Sequence, residues 1–131
     1  MLFNDLVHPH AIRHRNGGYM LSDTEGGSVV LFDERLKFIK RVPLKGAWMQ
    51  DAMQTKNGII YIDNFPLPNS INHDPNATHG TSIVEMQDGE VCKTLSVDGR
   101  YRFFEVQEVS EVQARHWQKA WGGSDFGLEG F

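Results

Sequence analysis

The stretch HAIRHRNGGYMLSD, residues 10–23, returns without a gap as DAMQTKNGIIYIDN, residues 51–64, at an offset of 51 − 10 = 41. Ala11 falls on Ala52, Asn16-Gly17 on Asn57-Gly58 and Leu21 on Ile62. Self-similarity at a fixed period of about 40 residues marks a repeat architecture in which each unit is one supersecondary element. Each copy sets two short apolar segments around an Asn-Gly, the pair that supplies the positive φ angles of a tight hairpin. Any fold open to this chain must therefore be built from units that hairpin on themselves and stack on their neighbours.

The remainder of each unit extends the pattern. After the first hairpin, Thr24-Glu25-Gly26-Gly27 makes a turn, and SVVLFD over 28–33 is a β-branched and aromatic strand. The unit 8–46 is thus expected to hold four short strands, at 11–15, 18–22, 28–33 and 37–42. The unit 47–99 repeats the plan at 48–55, 59–63, 81–86 and 90–97. Gly27 to Gly46 and Gly80 to Gly99 both span 19 residues, whereas Asn64 to Gly80 takes 16 steps against 4 from Asp23 to Gly27, an insertion of 12. The inserted stretch 65–79, FPLPNSINHDPNATH, is rich in Pro, Asn and Asp and is expected to be an exposed loop. A loop of more than about 12 residues with no structure of its own is often functional. A third unit begins at 102–109, RFFEVQEV, which alternates as an extra strand would, and then stops. Ser110 and Gln113 have the form of a capping box. Ala114, Trp117 and Trp121 share one helical face, and Gly122-Gly123 ends it. Residues 110–131 are therefore expected to be a C-terminal helix and tail.

Composition sets limits on function. A length of 131 residues suits one domain, and 40% hydrophobic with 23% charged residues argues against disorder. The formal charge of 13 − 17 = −4 disfavours a general nucleic-acid binder, which needs a basic face to displace counterions. Cys92 is the single cysteine, which rules out an intrachain disulfide and a zinc site of several cysteines from one chain. Inside a strand it is expected to be a buried, inert thiol. The opening MLFNDLVHPH lacks the basic and apolar regions of a signal peptide, and no apolar run approaches the ~18 residues of a membrane span. A soluble, cytoplasmic protein without nucleic-acid or membrane partners is expected.

Four antiparallel strands in a unit of roughly 40 residues is the plan of a β-propeller blade. Pro9-His10-Ala11-Ile12, Tyr19 to Asp23 and Val29 to Asp33 resemble the successive segments of an NHL-type blade, with His10 or Ala11 where that family often has Gly. Over residues 9–109 the order of segments is also similar to the C-terminal blades of a family of six-bladed bacterial propeller proteins of unassigned activity. The resemblance implies an all-β, propeller-like fold of two four-stranded units, one extra strand and a C-terminal helix. It implies a fold rather than an activity.

In propellers the first strand of each blade lines the central channel. The corresponding positions are His10, Asp51 and, with one residue of slippage, Glu105. In resembling propeller enzymes of the lactonase and lyase kind this ring binds a divalent metal, and an imidazole with two carboxylates suits such an ion. The plain alternative is three hydrogen-bonded polar residues at strand starts. His8, His10 and His14 share a strand face, but His10 and His14 stand about 13 Å apart and cannot chelate one ion together. Trp48 can stack on a sugar or base, or pack in the core. In the insertion, His73, Asp74, Asn76 and His79 can wrap a cation or meet a partner. No Gly-x-Ser-x-Gly and no phosphate loop is present. The expected function is a binding or assembly module that self-associates, as a trimer of six blades or else a dimer through the Trp117/Trp121 helix. The competing function is a divalent-metal-dependent hydrolase or lyase at the mouth of an assembled channel.

Overall fold

A computed structural model of the protein describes residues 4–44, 48–66, 69, 75–76, 80–97 and 101–120. Its strands are β1 (Pro9–Arg15), β2 (Gly18–Asp23), β3 (Ser28–Phe32), β4 (Phe38–Pro43), β5 (Met49–Gln54), β6 (Ile59–Asp63), β7 (Thr81–Gln87) and β8 (Glu90–Val97), followed by helix α1 (Glu111–Ala120). They form two four-stranded antiparallel sheets, ordered β1-β2-β3-β4 and β5-β6-β7-β8. The all-β expectation holds, and all eight predicted strands lie within two residues of their expected ends.

Strand pairing corrects the repeat. Pro9 pairs with Asp23 and Ile12 with Leu21, while Met49 pairs with Asp63 and Ala52 with Tyr61, so the second hairpin is numbered 40 higher, not 41. Each inner strand carries a bulge at the same place, between Pro9 and Ala11 and between Met49 and Asp51. The sequence alignment followed the Asn-Gly pairs, but the hairpins place them differently. In the first, Asn16-Gly17 lies between the paired Arg15 and Gly18. In the second, Thr55 N–H donates to Gly58 O at 2.8 Å, which leaves Lys56-Asn57 at the tip. Gly18 and Gly58 are thus the true counterparts. A Cβ on Gly18 would collide with the Phe32 carbonyl and one on Gly58 with the Met86 carbonyl, the same place in each unit. By pairing, His10 corresponds to Gln50 and Asp51 to Ala11.

The core lies between the sheets. Residues paired across an antiparallel sheet share a face. Met20, Val29, Leu31 and Val42 of the first sheet meet Ala52, Ile59, Tyr61, Val84 and Met86 of the second, and Leu44 and Met49 close the cluster. β5 lies against β1 and β2, so the inner strands stand beside one another. The far face of the first sheet carries the register Ile12, Leu21, Val30. These are the counterparts of Ala52, Tyr61 and Val84, which fill the seam. The far face of the second sheet carries Met53, Ile60 and Glu85 with Asp51, Ile62, Ile83 and Leu95. The sheets therefore stack head to tail, like faces of successive units turned the same way.

Several local expectations change. Residues 101–109 form no strand. They run as an extended segment held by side chains: Asn64 Nδ2 donates to Phe103 O, Phe103 N–H donates to Asn64 Oδ1, and Thr81 Oγ1 donates to Tyr101 O at 2.5 Å. By strand pairing the extra residues of the second unit fall between Asp63 and Ser82, and their start is packed, with Pro66 fully buried and Phe65 half-buried. Asn69, Pro75 and Asn76 are exposed as expected. Helix α1 begins as predicted, with Gln113 N–H donating to Ser110 Oγ and Ser110 N–H to Gln113 Oε1. Ala114 is half-buried and Trp117 is 43% exposed, while Trp121 lies outside the described residues. Cys92 is exposed rather than buried, because β8 is an edge strand whose first five residues face solvent. No described helix is long and apolar enough to cross a membrane.

Candidate functional site

The inner strands gather the polar chemistry of the chain. Asp51 follows the β5 bulge and is 1% exposed. Its Oδ1 accepts from Arg13 Nε at 3.0 Å and from Ala52 N–H at 2.9 Å. Its Oδ2 accepts from Arg13 Nη2 and from Val106 N–H, the latter at 2.9 Å. Four donors fill the lone-pair directions of an ionised carboxylate. Asp51 therefore ties β1, β5 and the segment 101–109 together. The Arg13 guanidinium is held in its charged form, its pKa raised by the hydrogen bond and charge of Asp51 and, to a lesser degree, by Glu105. Glu105 reaches Arg13 Nη2 at 3.5 Å and is otherwise open to solvent.

One residue earlier, the two bulge residues meet. Gln50 Nε2 lies 2.7 Å from His10 Nδ1, and Gln50 Oε1 accepts from Trp48 Nε1 at 3.2 Å. An indole N–H can only donate, so the Gln50 oxygen faces Trp48 and its NH2 donates to His10. The remaining imidazole proton of His10 then sits on Nε2. The His8 ring makes edge contacts with both His10 and Trp48, at 5.9 Å and 5.6 Å between centroids. Trp48, 5% exposed, is a packed side chain and not an open stacking platform.

His10, Asp51 and Glu105 thus do lie along adjacent inner segments, but they do not make the expected metal ring. Asp51 and Glu105 converge on Arg13, and His10 is bound to Gln50. Among the described residues no three His, Cys, Asp or Glu side chains are grouped to hold a metal ion. A divalent ion would have to displace two peptide N–H donors and a guanidinium from Asp51. The donor set does not fit a metal. His73, Asp74 and His79 lie outside the described residues.

Sequence reasoning missed the partners that matter most. Asp23, fully buried, accepts from Val7 N–H at 2.7 Å and from Arg41 Nη1 at 2.6 Å. Its counterpart Asp63 accepts from Trp48 N–H at 3.2 Å. An Asp closing the second strand of both units, at an offset of 63 − 23 = 40, was the signal that would have set the right register. Beside the hairpin ends of β1 and β5 an open cleft of about 340 Å³ is lined by Arg13, His14, Met20, Met53 and Gln54. Comparison with protein-family models, curated proteins and solved structures finds no match to this chain.

Proposed function

We propose that the chain is a propeller-like binding and assembly module that self-associates head to tail, the first sheet of one copy docking on the second sheet of the next. One observation carries this reading. The seam inside the chain joins the far-numbered face of one unit to the near-numbered face of its repeat, in the same register. The two outer faces are then the same complementary pair, one on each end of the molecule. Ile12 is 60% exposed on one end, although Val30 of the same face is fully buried; on the other end Met53, Ile60, Ile83 and Leu95 are half-buried and Ile62 is fully buried, where segment 101–109 covers the inner edge at Asp51. Fully burying a side chain of this kind contributes roughly 1.5–3 kcal/mol, so a handful supports association. Contacts of this heterologous type close into rings when the rotation allows it. Three copies would supply six units, inside the roughly four to eight blades that propellers use.

The test is mass in solution by light scattering. The expected result is a species at a multiple of the 14.9 kDa chain, returned to single-chain mass by Ile12→Asp with an unchanged circular dichroism spectrum. A folded wild-type protein of single-chain mass at high micromolar concentration would refute the proposal.

A further inference from the structure

Segment 101–109 follows β5 as β5 follows β1. β5 lies against β1, and the Arg13–Asp51 pair joins them. Asp51 also takes the Val106 N–H at 2.9 Å, which brings the segment to β5 in turn. Chain spacing agrees. Ser28 and Ser82 are equivalent, facing Asp23 and Asp63, and their other partners are Pro43 and Ser96. From there to Met49 and to Arg102 the steps are equal, 49 − 43 = 102 − 96 = 6. Arg102 thus falls where Met49 opens β5. The segment also lies on one particular face. Asp51, Ile62 and Ile83 form one cross-strand row on the outer side of the second sheet. Asn64 and Thr81 stand two residues from Ile62 and Ile83, so they share that side. Asn64 bonds both backbone groups of Phe103, and Thr81 Oγ1 donates to Tyr101 O. Ile62 is fully buried on the covered side, whereas Met53 and Ile60, in the next row, are only half-buried.

A copy docking on this face as the two sheets dock within the chain would set its own β1 where segment 101–109 now lies. Both cannot occupy one place. We infer that segment 101–109 is an intramolecular cap, which competes with the next copy for the outer face of the second sheet and leaves before the copies join. The inference rests on the head-to-tail association proposed above. The cap is built to be removable. It makes no strand ladder with the sheet. Its hydrogen bonds are few, and water replaces each of them on release. Tyr101 and Phe104 are 60% and 75% exposed, so these two aromatic rings add little burial to hold it. Association through a face that is uncapped only part of the time is weakened by that fraction.

The experiment compares the full chain with the double variant Phe103→Pro, Val106→Pro. Proline removes the N–H donors to Asn64 and Asp51 and leaves the sheet itself unchanged. Light scattering over a dilution series should show the variant associating at a concentration at least about tenfold below that of the wild type. A synthetic peptide of residues 101–110, added in excess, should return the variant to the 14.9 kDa chain. In the wild type, hydrogen exchange at the Val106 amide should quicken as protein concentration rises, because association displaces the cap. Circular dichroism establishes that the variant is folded, and if it is not, the wild-type exchange decides alone. A wild type that associates while the folded variant associates no more tightly would overturn the cap and leave the head-to-tail reading standing. So would a Val106 amide whose protection grows with concentration. Wild type and variant both of single-chain mass at high micromolar concentration would overturn the head-to-tail reading, and the cap with it.

Discussion

Asp51 and Glu105 meet the same guanidinium, yet their burial makes them unequal. Asp51 is 1% exposed and holds four donors, whereas the Glu105 side chain is 70% exposed at 3.5 Å from Arg13. Asp51→Ala would leave Arg13 and the Val106 N–H without their acceptor and should cost about 3 kcal/mol in urea unfolding. Glu105→Ala removes a screened surface contact and should cost less than about 1 kcal/mol. Equal losses would show that Asp51 is not the structural carboxylate described above. Tyr61 offers a second check. Burial, reinforced by the charge of Asp63, pushes its phenol up to about 12 from an ordinary 10.0. A raised acid pKa means that the folded state keeps the proton longer than the unfolded state does. Its contribution is present in full below pH 10 and is lost as pH rises through about 12, a change of about 2–3 kcal/mol. Wild type should therefore lose stability more steeply than Tyr61→Phe across that window, and parallel pH profiles would count against it.

At the scale of the hairpin, two glycines do the same work in the two units. Gly18 has φ 145° and its missing Cβ leaves room for the Phe32 carbonyl, while Gly58 leaves the same room for Met86 O. A Cβ at either position must push apart the second and third strands. Gly18→Ala and Gly58→Ala should each destabilise by more than about 2 kcal/mol, from backbone strain and collision together. Gly17 is the control: φ is 80° but nothing lies within 4 Å of an added Cβ. Gly17→Ala should then cost only the left-handed penalty of about 1–2 kcal/mol. Thermal melts that rank Gly17 above the other two would contradict the structural equivalence of Gly18 and Gly58. Strand positions themselves were readable from alternation and turn residues, because both are local. The unit-to-unit offset was not, because Asn-Gly fills different places in the two hairpins.

For the whole molecule, the decisive quantity is what happens at its two ends. A unit that packs on only one side leaves a sheet face without a repeat partner, and the chain has two such faces. Association that buries them binds the folded state alone, so it stabilises by mass action. The melting temperature of the wild type should rise with protein concentration, and Ile12→Asp should remove that dependence. A concentration-independent melt in both proteins would mean that the faces do not pair. Segment 101–109 bears on the same question. Asn64, Thr81 and Asp51 hold it against the second sheet, where alternation alone predicted an extra strand.

Sequence by itself determined the elements: eight short strands, a capped helix, two units and the long connection in the second. Each rests on contacts between neighbours in the chain, such as hairpin geometry, side-chain alternation and the Ser110–Gln113 cap. Only the tertiary structure decided which residues correspond between units, and with that the meaning of the polar residues on the inner strands. His10 and Asp51 aligned as equals in one dimension. In three, the bulge pairs His10 with Gln50, and burial commits Asp51 to Arg13 and two backbone amides. Burial and pairing partners 38 to 55 residues away decide whether a carboxylate is a ligand or a brace, and no local pattern carries that information.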